Sequence, residues 1–294
     1  MAKVAIMTDT NSGITRAEGK ENGIHVLSMP FMIDDINYLE GVNLDQDQFF
    51  DFMEKKSVIQ TSQPSPAEVT GMFSRLLETH DQVVYIPMSS GLSGSCQTAM
   101  MLANEEEFEG KVFVVNNQRI SVPQKQSVYD ALAMAEAGMD GQQIHDKLME
   151  DKFNNTIYIM LDTLYYLKKG GRITPAAAAV GTLLKIKPVL QIQGEKLDAY
   201  SKARTSALGK KIIIDALKKD IETRFGGLDE GAKDRIILMM AYTKDLDRAL
   251  EFKEEIKEAF PGFNDPILNP LALSIACHTG PGAIAAGCVL KTTF

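Results

Sequence analysis

A two-domain α/β fold is what this sequence predicts, and three observations predict it. Short, wholly apolar runs are each followed by a polar loop and then by helical periodicity, the pattern of strands buried on both faces of a parallel sheet. The chain has 294 residues, more than one domain usually holds. Near residue 152 the pattern changes, and a hairpin with antiparallel pairing follows in the second half.

The elements are read in order. "KVAIM" leads to "TDTNSG", "VVYIPM" to "SSGLSGS" (89–95), and "KVFVV" to "NNQRIS". Loops at the carboxyl ends of such strands share one rim, and that rim is where open α/β sheets bind ligands. "TSQPSP" (61–66) follows "SVIQ" and opens a helix: Ser65 caps it, Pro66 suits its first position and Glu68 closes a capping box. Val69, Met72, Phe73, Leu76 and Leu77 then fall on one buried stripe. The acidic helix "GQQIHDKLMED" ends near 152 and "NNTIYIMLDT" starts a new strand, so the domains are expected at 1–152 and 153–294.

In the second domain the sequence predicts a helix "LYYLKK" stopped by Gly170 and Gly171, and a small-residue helix "TPAAAAVGTLL" (174–184). A hairpin of "KPVLQIQ" and "KLDAYSKA" turns at Gly194 and Glu195. A long helix (206–224), a strand "RIILMMAYT", a helix "LDRALEFKEEIKEAF" and a strand "ALSIACHTG" complete an α+β layer with a mixed sheet.

Composition excludes several classes of function. The chain is 45% hydrophobic and 24% charged with a net charge of -8, which argues against general binding to nucleic-acid phosphates. The opening "MAKVAIMTDT" is too short an apolar run for a secretory leader, and lysines interrupt the best later candidate before bilayer length. A cytoplasmic protein without integral membrane association is expected. Cys96, Cys277 and Cys288 have neither disulfide parity nor C-x-x-C spacing, so they read as free thiols with no metal site.

The loops suggest chemistry. In "SSGLSGS" the serines donate and accept hydrogen bonds, and Gly91 and Gly94 admit a ligand close to backbone amides. The following helix start favours negative charge, so the loop suits a small anion; "TSQPSP" repeats that chemistry. The same hydroxyls also serve simply as helix caps. "ACHTGPG" reads as a third strand-to-helix turn of this kind, bearing His278. A serine-hydrolase triad of Asp9, Ser93 and His278 is an alternative, although "GLSGS" departs from the nucleophile elbow by placing Ser95 at its last position. The loop also lacks the G-K-[ST] ending of a nucleotide-binding P-loop. Between Thr163 and Lys211 the chain carries ten basic residues against two acids, Glu195 and Asp198, a local positive field within an acidic protein.

Taken together, "TDTNSGI", "TSQPSP", "SSGLSGSCQ", "LDTLYYLKKGGRI", "LLKIKPVL", "KART" and "HTGPGA" stand in an order that resembles the DegV family over nearly the whole chain. The resemblance implies a two-domain DegV-like fold enclosing one long-chain fatty acid between the domains, without a cofactor and without catalysis of its own. It implies a carrier subunit of a bacterial fatty acid kinase: a separate ATP-binding kinase subunit phosphorylates the bound carboxylate to an acyl phosphate. Carried over residue by residue, Thr61 and Ser93, with Ser62 and Gly94 beside them, hold the carboxylate. Arg172, Arg204 and His278 belong to the face engaged with the kinase or the phosphate. The alternative function is an acyl- or phosphoryl-transfer enzyme using Ser93 and His278. Departures from the family pattern are Gly13 in the first loop, Cys96 in place of a common aromatic, and Asn116 and Asn117 where an Asp-Ser pair is usual.

Overall fold

The computed structural model describes residues 2–176 and 186–294. The small-residue helix expected at 174–184 therefore lies largely outside the described residues. The chain divides into two compact units, one of residues 1–152, 272–274 and 292–294, the other of residues 153–271 and 275–291.

The first unit is built on a four-stranded parallel sheet. Strands β1 (Val4–Asp9), β2 (Ile24–Leu27), β6 (Gln82–Ile86) and β7 (Val112–Val114) lie in the order β2-β1-β6-β7. Alternate side chains of one strand serve opposite faces. Ala5, Met7, Val83 and Tyr85 pack beneath α3 (Pro66–Leu77) and α4 (Ser95–Ala103), while Ile6, Val84 and Ile86 pack against α5 (Val122–Glu136) and α6 (Gly141–Glu150). The stripe on α3 is buried as its spacing predicts: Val69, Phe73 and Leu76 are in the core, with Met72 and Leu77 packed at its margin. Ser65 and Glu68 form the reciprocal capping box at the start of α3.

Helix α1 (Arg16–Asn22) follows β1, and between β2 and β6 the chain makes an excursion that the sequence pattern did not resolve. Strands β3 (Pro30–Ile33), β4 (Ile36–Leu39) and β5 (Ile59–Thr61) form a separate antiparallel sheet in the order β4-β3-β5, with α2 (Gln46–Glu54) inserted between β4 and β5. This small sheet carries Thr61 at its end.

The second unit is a six-stranded mixed sheet in the order β10-β9-β8-β13-β11-β12. Its strands are β8 (Asn155–Met160), β9 (Lys187–Ile192), β10 (Asp198–Ala203), β11 (Ile236–Tyr242), β12 (Ile267–Pro270) and β13 (Ile284–Leu290). Among the described strand pairs of this sheet, β11–β12 is parallel and the others are antiparallel. Helices α7 (Tyr165–Gly170), α8 (Ser206–Arg224), α9 (Glu230–Arg235) and α10 (Leu246–Ala259) accompany the sheet, and Ile213, Leu217 and Ile221 of α8 meet Tyr158, Met240 and Phe252 in one core.

Two expectations are corrected here. "ALSIACHTG" is not a strand: Leu273–Thr279 is helix α11, with Leu273 and Ala276 buried three residues apart. The real strand is β13, "IAAGCVL", which lies inside the sheet between β8 and β11. Consequently "HTGPG" is a helix-to-strand turn, and it presents the end of a helix rather than the start of one.

Candidate functional site

In the first unit, β5 ends at Thr61, which is half-buried and registered against Phe31 of β3. Ser62 is exposed, and its N–H donates to Pro30 O at 3.4 Å. The loop after β6 is fastened at its base. Asp9, wholly buried at the end of β1, accepts from Met88 N at 3.0 Å, Asn11 N at 3.0 Å and Gln124 Nε2 at 3.2 Å. Burial pushes the Asp9 carboxyl above its ordinary range, partly offset by those three donors. A triad would need this carboxylate to orient an imidazole, yet its lone pairs are directed to two backbone amides and a glutamine.

Past Met88 the loop folds on itself. Leu92 N and Ser93 N donate to Ser89 O at 3.0 and 3.3 Å, and Gly91 N donates to the Ser89 hydroxyl at 3.3 Å. Ser93 Oγ accepts the N–H of Ser95 at 3.2 Å, which orients the hydroxyl at the mouth of α4 and leaves its own hydrogen to donate to an anion. Gly94 is the residue just before α4. Ser95 Oγ is buried without a hydrogen-bond partner.

The two hydroxyl loops are joined by a residue that sequence reasoning passed over. Gln63 Nε2 donates to Thr98 Oγ1 on α4 at 3.1 Å. A methyl group placed on Gly94 would lie 2.9 Å from Gln63 Oε1. Thr61, Ser62, Ser93 and Gly94 thus belong to two segments that Gln63 fastens together. The signal was available only as a glutamine inside a capping sequence, which by itself says nothing.

In the second unit Arg172 and His278 meet at the end of α7. Arg172 Nη1 donates to Gly170 O. The His278 ring lies so close to Gly170 that a Cβ there would be 2.2 Å from Nδ1. Burial, reinforced by the positive charge of Arg172, lowers the His278 pKa to about 4. This imidazole is neutral at pH 7. The following turn is not an anion receiver, contrary to the sequence expectation: Gly280 N donates to Ala276 O, Gly282 N to Thr243 O and Ala283 N to Thr243 Oγ1.

Arg204 is exposed and immediately precedes Thr205, whose side chain caps α8. Arg248, also missed in the sequence, ties that helix start to the turn after His278. Its Nη2 donates to Ser206 Oγ at 2.9 Å and its Nη1 to Gly282 O at 2.9 Å, while Asp162 lies 3.3 Å from Nη1 and 2.7 Å from Lys187 Nζ. Arg204 and His278 therefore stand on segments that one guanidinium connects.

Among the described residues no helix is long and apolar enough to cross a membrane. Cys96 and Cys288 are buried free thiols and Cys277 is half-buried; burial pushes the Cys96 thiol up to about 12.

Comparison with known proteins gives one consistent answer. A family model described as "Uncharacterised protein, DegV family" matches residues 3–291. A DegV domain-containing protein of Streptococcus pyogenes serotype M3 is 31% identical over 288 residues, covering 97% of this chain and 98% of its own. A solved DegV family protein from Thermus thermophilus, described by its fatty acid binding, superposes with a TM-score of 0.87 at 27% identity, covering 98% of this chain and 99% of that one. The fatty acid binding DegV family protein SAG1342 from Streptococcus agalactiae gives 0.85 at 28% identity, covering 99% and 100%.

Proposed function

We propose, from the premise that this chain belongs to the DegV family, that it binds one long-chain fatty acid and presents the carboxylate to a separate ATP-dependent kinase. The observation that carries the reading is the joining of two hydroxyl-bearing loops, with Thr61 and Ser62 on one and Ser93 and Gly94 on the other, through Gln63 and Thr98. It is supported by the fatty acid binding described for the Thermus and Streptococcus agalactiae relatives.

The division of labour follows from elementary energetics. An acyl tail of about fourteen methylenes, at ~0.8 kcal/mol each, gains up to roughly 11 kcal/mol on leaving water, before the costs of ordering. The tail supplies affinity and the headgroup supplies orientation. Neutral hydroxyls and amides receive the carboxylate without burying a second full charge, which would carry its own desolvation cost. They also leave a carboxylate oxygen nucleophilic. In the proposed reaction that oxygen bonds to the γ-phosphorus of ATP held by the kinase, the bond to ADP breaks, and an acyl phosphate forms. This chain contributes no catalytic residue to that step; Arg172, Arg204 and His278 are assigned to the kinase-facing, phosphate-facing role.

Denaturing extraction of the purified protein followed by mass spectrometry tests the binding claim. A stoichiometric long-chain acid is the expected result. No bound lipid, together with no rise in melting temperature when palmitate or oleate is added, would sink it.

A further inference from the structure

Gly94 adopts an ordinary right-handed conformation, φ -70° and ψ -8°, which any residue can take. The backbone gives no reason for glycine there. What lies above it does: chain neighbours aside, the heavy atoms of the described residues within 4 Å of a Cβ at this position are Oε1 and Cδ of Gln63. The Gln63 carboxamide rests on Gly94 while its Nε2 bonds Thr98 one turn into α4. The same side chain leaves the loop two residues after Thr61, so one amide touches the start of α4, its first turn and the chain that carries the first hydroxyl pair.

We infer that Gln63 is a positioning residue that braces the two hydroxyl loops into a single carboxylate receiver, and that a Cβ at position 94 would displace the brace from its seat. The inference rests on the reading that these loops receive a carboxylate. It assigns Gln63 no contact with the ligand and makes its influence specific to the headgroup.

Affinity is compared for palmitate and for hexadecanol, which shares the tail and lacks the charge. Gln63→Ala removes the neutral Gln63–Thr98 hydrogen bonding and the packing over Gly94, and is expected to weaken palmitate about three- to tenfold while leaving hexadecanol within twofold. Gly94→Ala in the otherwise native chain displaces the carboxamide and is expected to reproduce that loss. In the Gln63→Ala background Gly94→Ala should add nothing, because the space it enters is then open. An additional loss in the double variant would mean that the Cβ meets the ligand itself, and equal losses for palmitate and hexadecanol would mean general loosening; either overturns the brace.

Amide hydrogen exchange of the ligand-free protein separates this inference from the functional reading. Gln63→Ala should accelerate exchange at Ser95 and Thr98, whose amides bond Ser93 Oγ and Gly94 O. Unchanged exchange there overturns the brace whether or not the native chain binds an acid. Failure of the native chain to bind palmitate, with exchange accelerated, supports the brace and removes only the fatty-acid reading.

Discussion

The carboxylate of Glu40 accepts the backbone N–H of Leu273 at 2.6 Å across 233 positions of sequence, and its second oxygen accepts the Thr10 hydroxyl at 2.7 Å. Burial raises the Glu40 pKa to about 7 against the opposing effect of those donors, and the nearby Asp9 charge adds to the rise. A raised carboxyl pKa means the fold favours the protonated form. Its stabilising contribution is complete below the ordinary value near 4.5 and is lost as pH rises through about 7. Glu40→Gln should flatten the fall in stability between pH 5 and 8, a difference on the order of a few kcal/mol at most. Urea denaturation of both proteins across that range measures it; parallel curves would contradict the titration assigned to Glu40.

His278 has the opposite sign. Its pKa near 4 lies below the ordinary 6.5, so its contribution is present above 6.5 and is lost as pH falls through 4. Its ring protons, followed by NMR, should show no protonation until well below pH 6. Gly170→Ala forces the ring away from its pocket and should return the titration toward the ordinary value. A native midpoint near 6.5 would show that the imidazole is solvated.

For the headgroup, Thr61→Ala combined with Ser93→Ala should weaken fatty-acid binding by about 1 to 3 kcal/mol for each charged-group hydrogen bond lost. Calorimetric titration with a single long-chain acid reads this directly, and an unchanged Kd in the double variant refutes the placement.

The basic residues should behave differently. Arg204→Ala, at an exposed position, should keep its lipid and its melting temperature while acyl-phosphate formation with the kinase declines. Loss of lipid with normal phosphorylation would reverse the two roles.

Much of the first unit was legible because its strands are continuous apolar runs and its helix starts carry side-chain caps, as Ser65 and Glu68 illustrate. The small sheet β4-β3-β5 was not, since strands of three or four residues such as "IQT" leave little period to read. Near the carboxyl end "ALSIACHTG", expected as a strand, is mostly helix, and the strand is "IAAGCVL", which sequence reasoning assigned to no element. Both are short and rich in alanine, and local pattern cannot tell a buried helix segment from an interior strand at that length. Thr61, Ser93 and their neighbours came from motif order, whereas Gln63 and Arg248 act through contacts that only the folded chain creates. The turn at Gly280 was misread for the same reason, because its amides find partners on Ala276 and Thr243.

Residues 272–274 are counted with the first unit, where Leu273 bonds Glu40 and the Ser274 hydroxyl donates to Asn11 Oδ1. Thr292 likewise donates to Asp130 at 3.1 Å. Genetic dissection must respect that discontinuity. A fragment ending at residue 152 would expose an acid and an amide shaped for missing peptide, so any split or permuted version of this protein has to carry those distant tripeptides with its amino-terminal half.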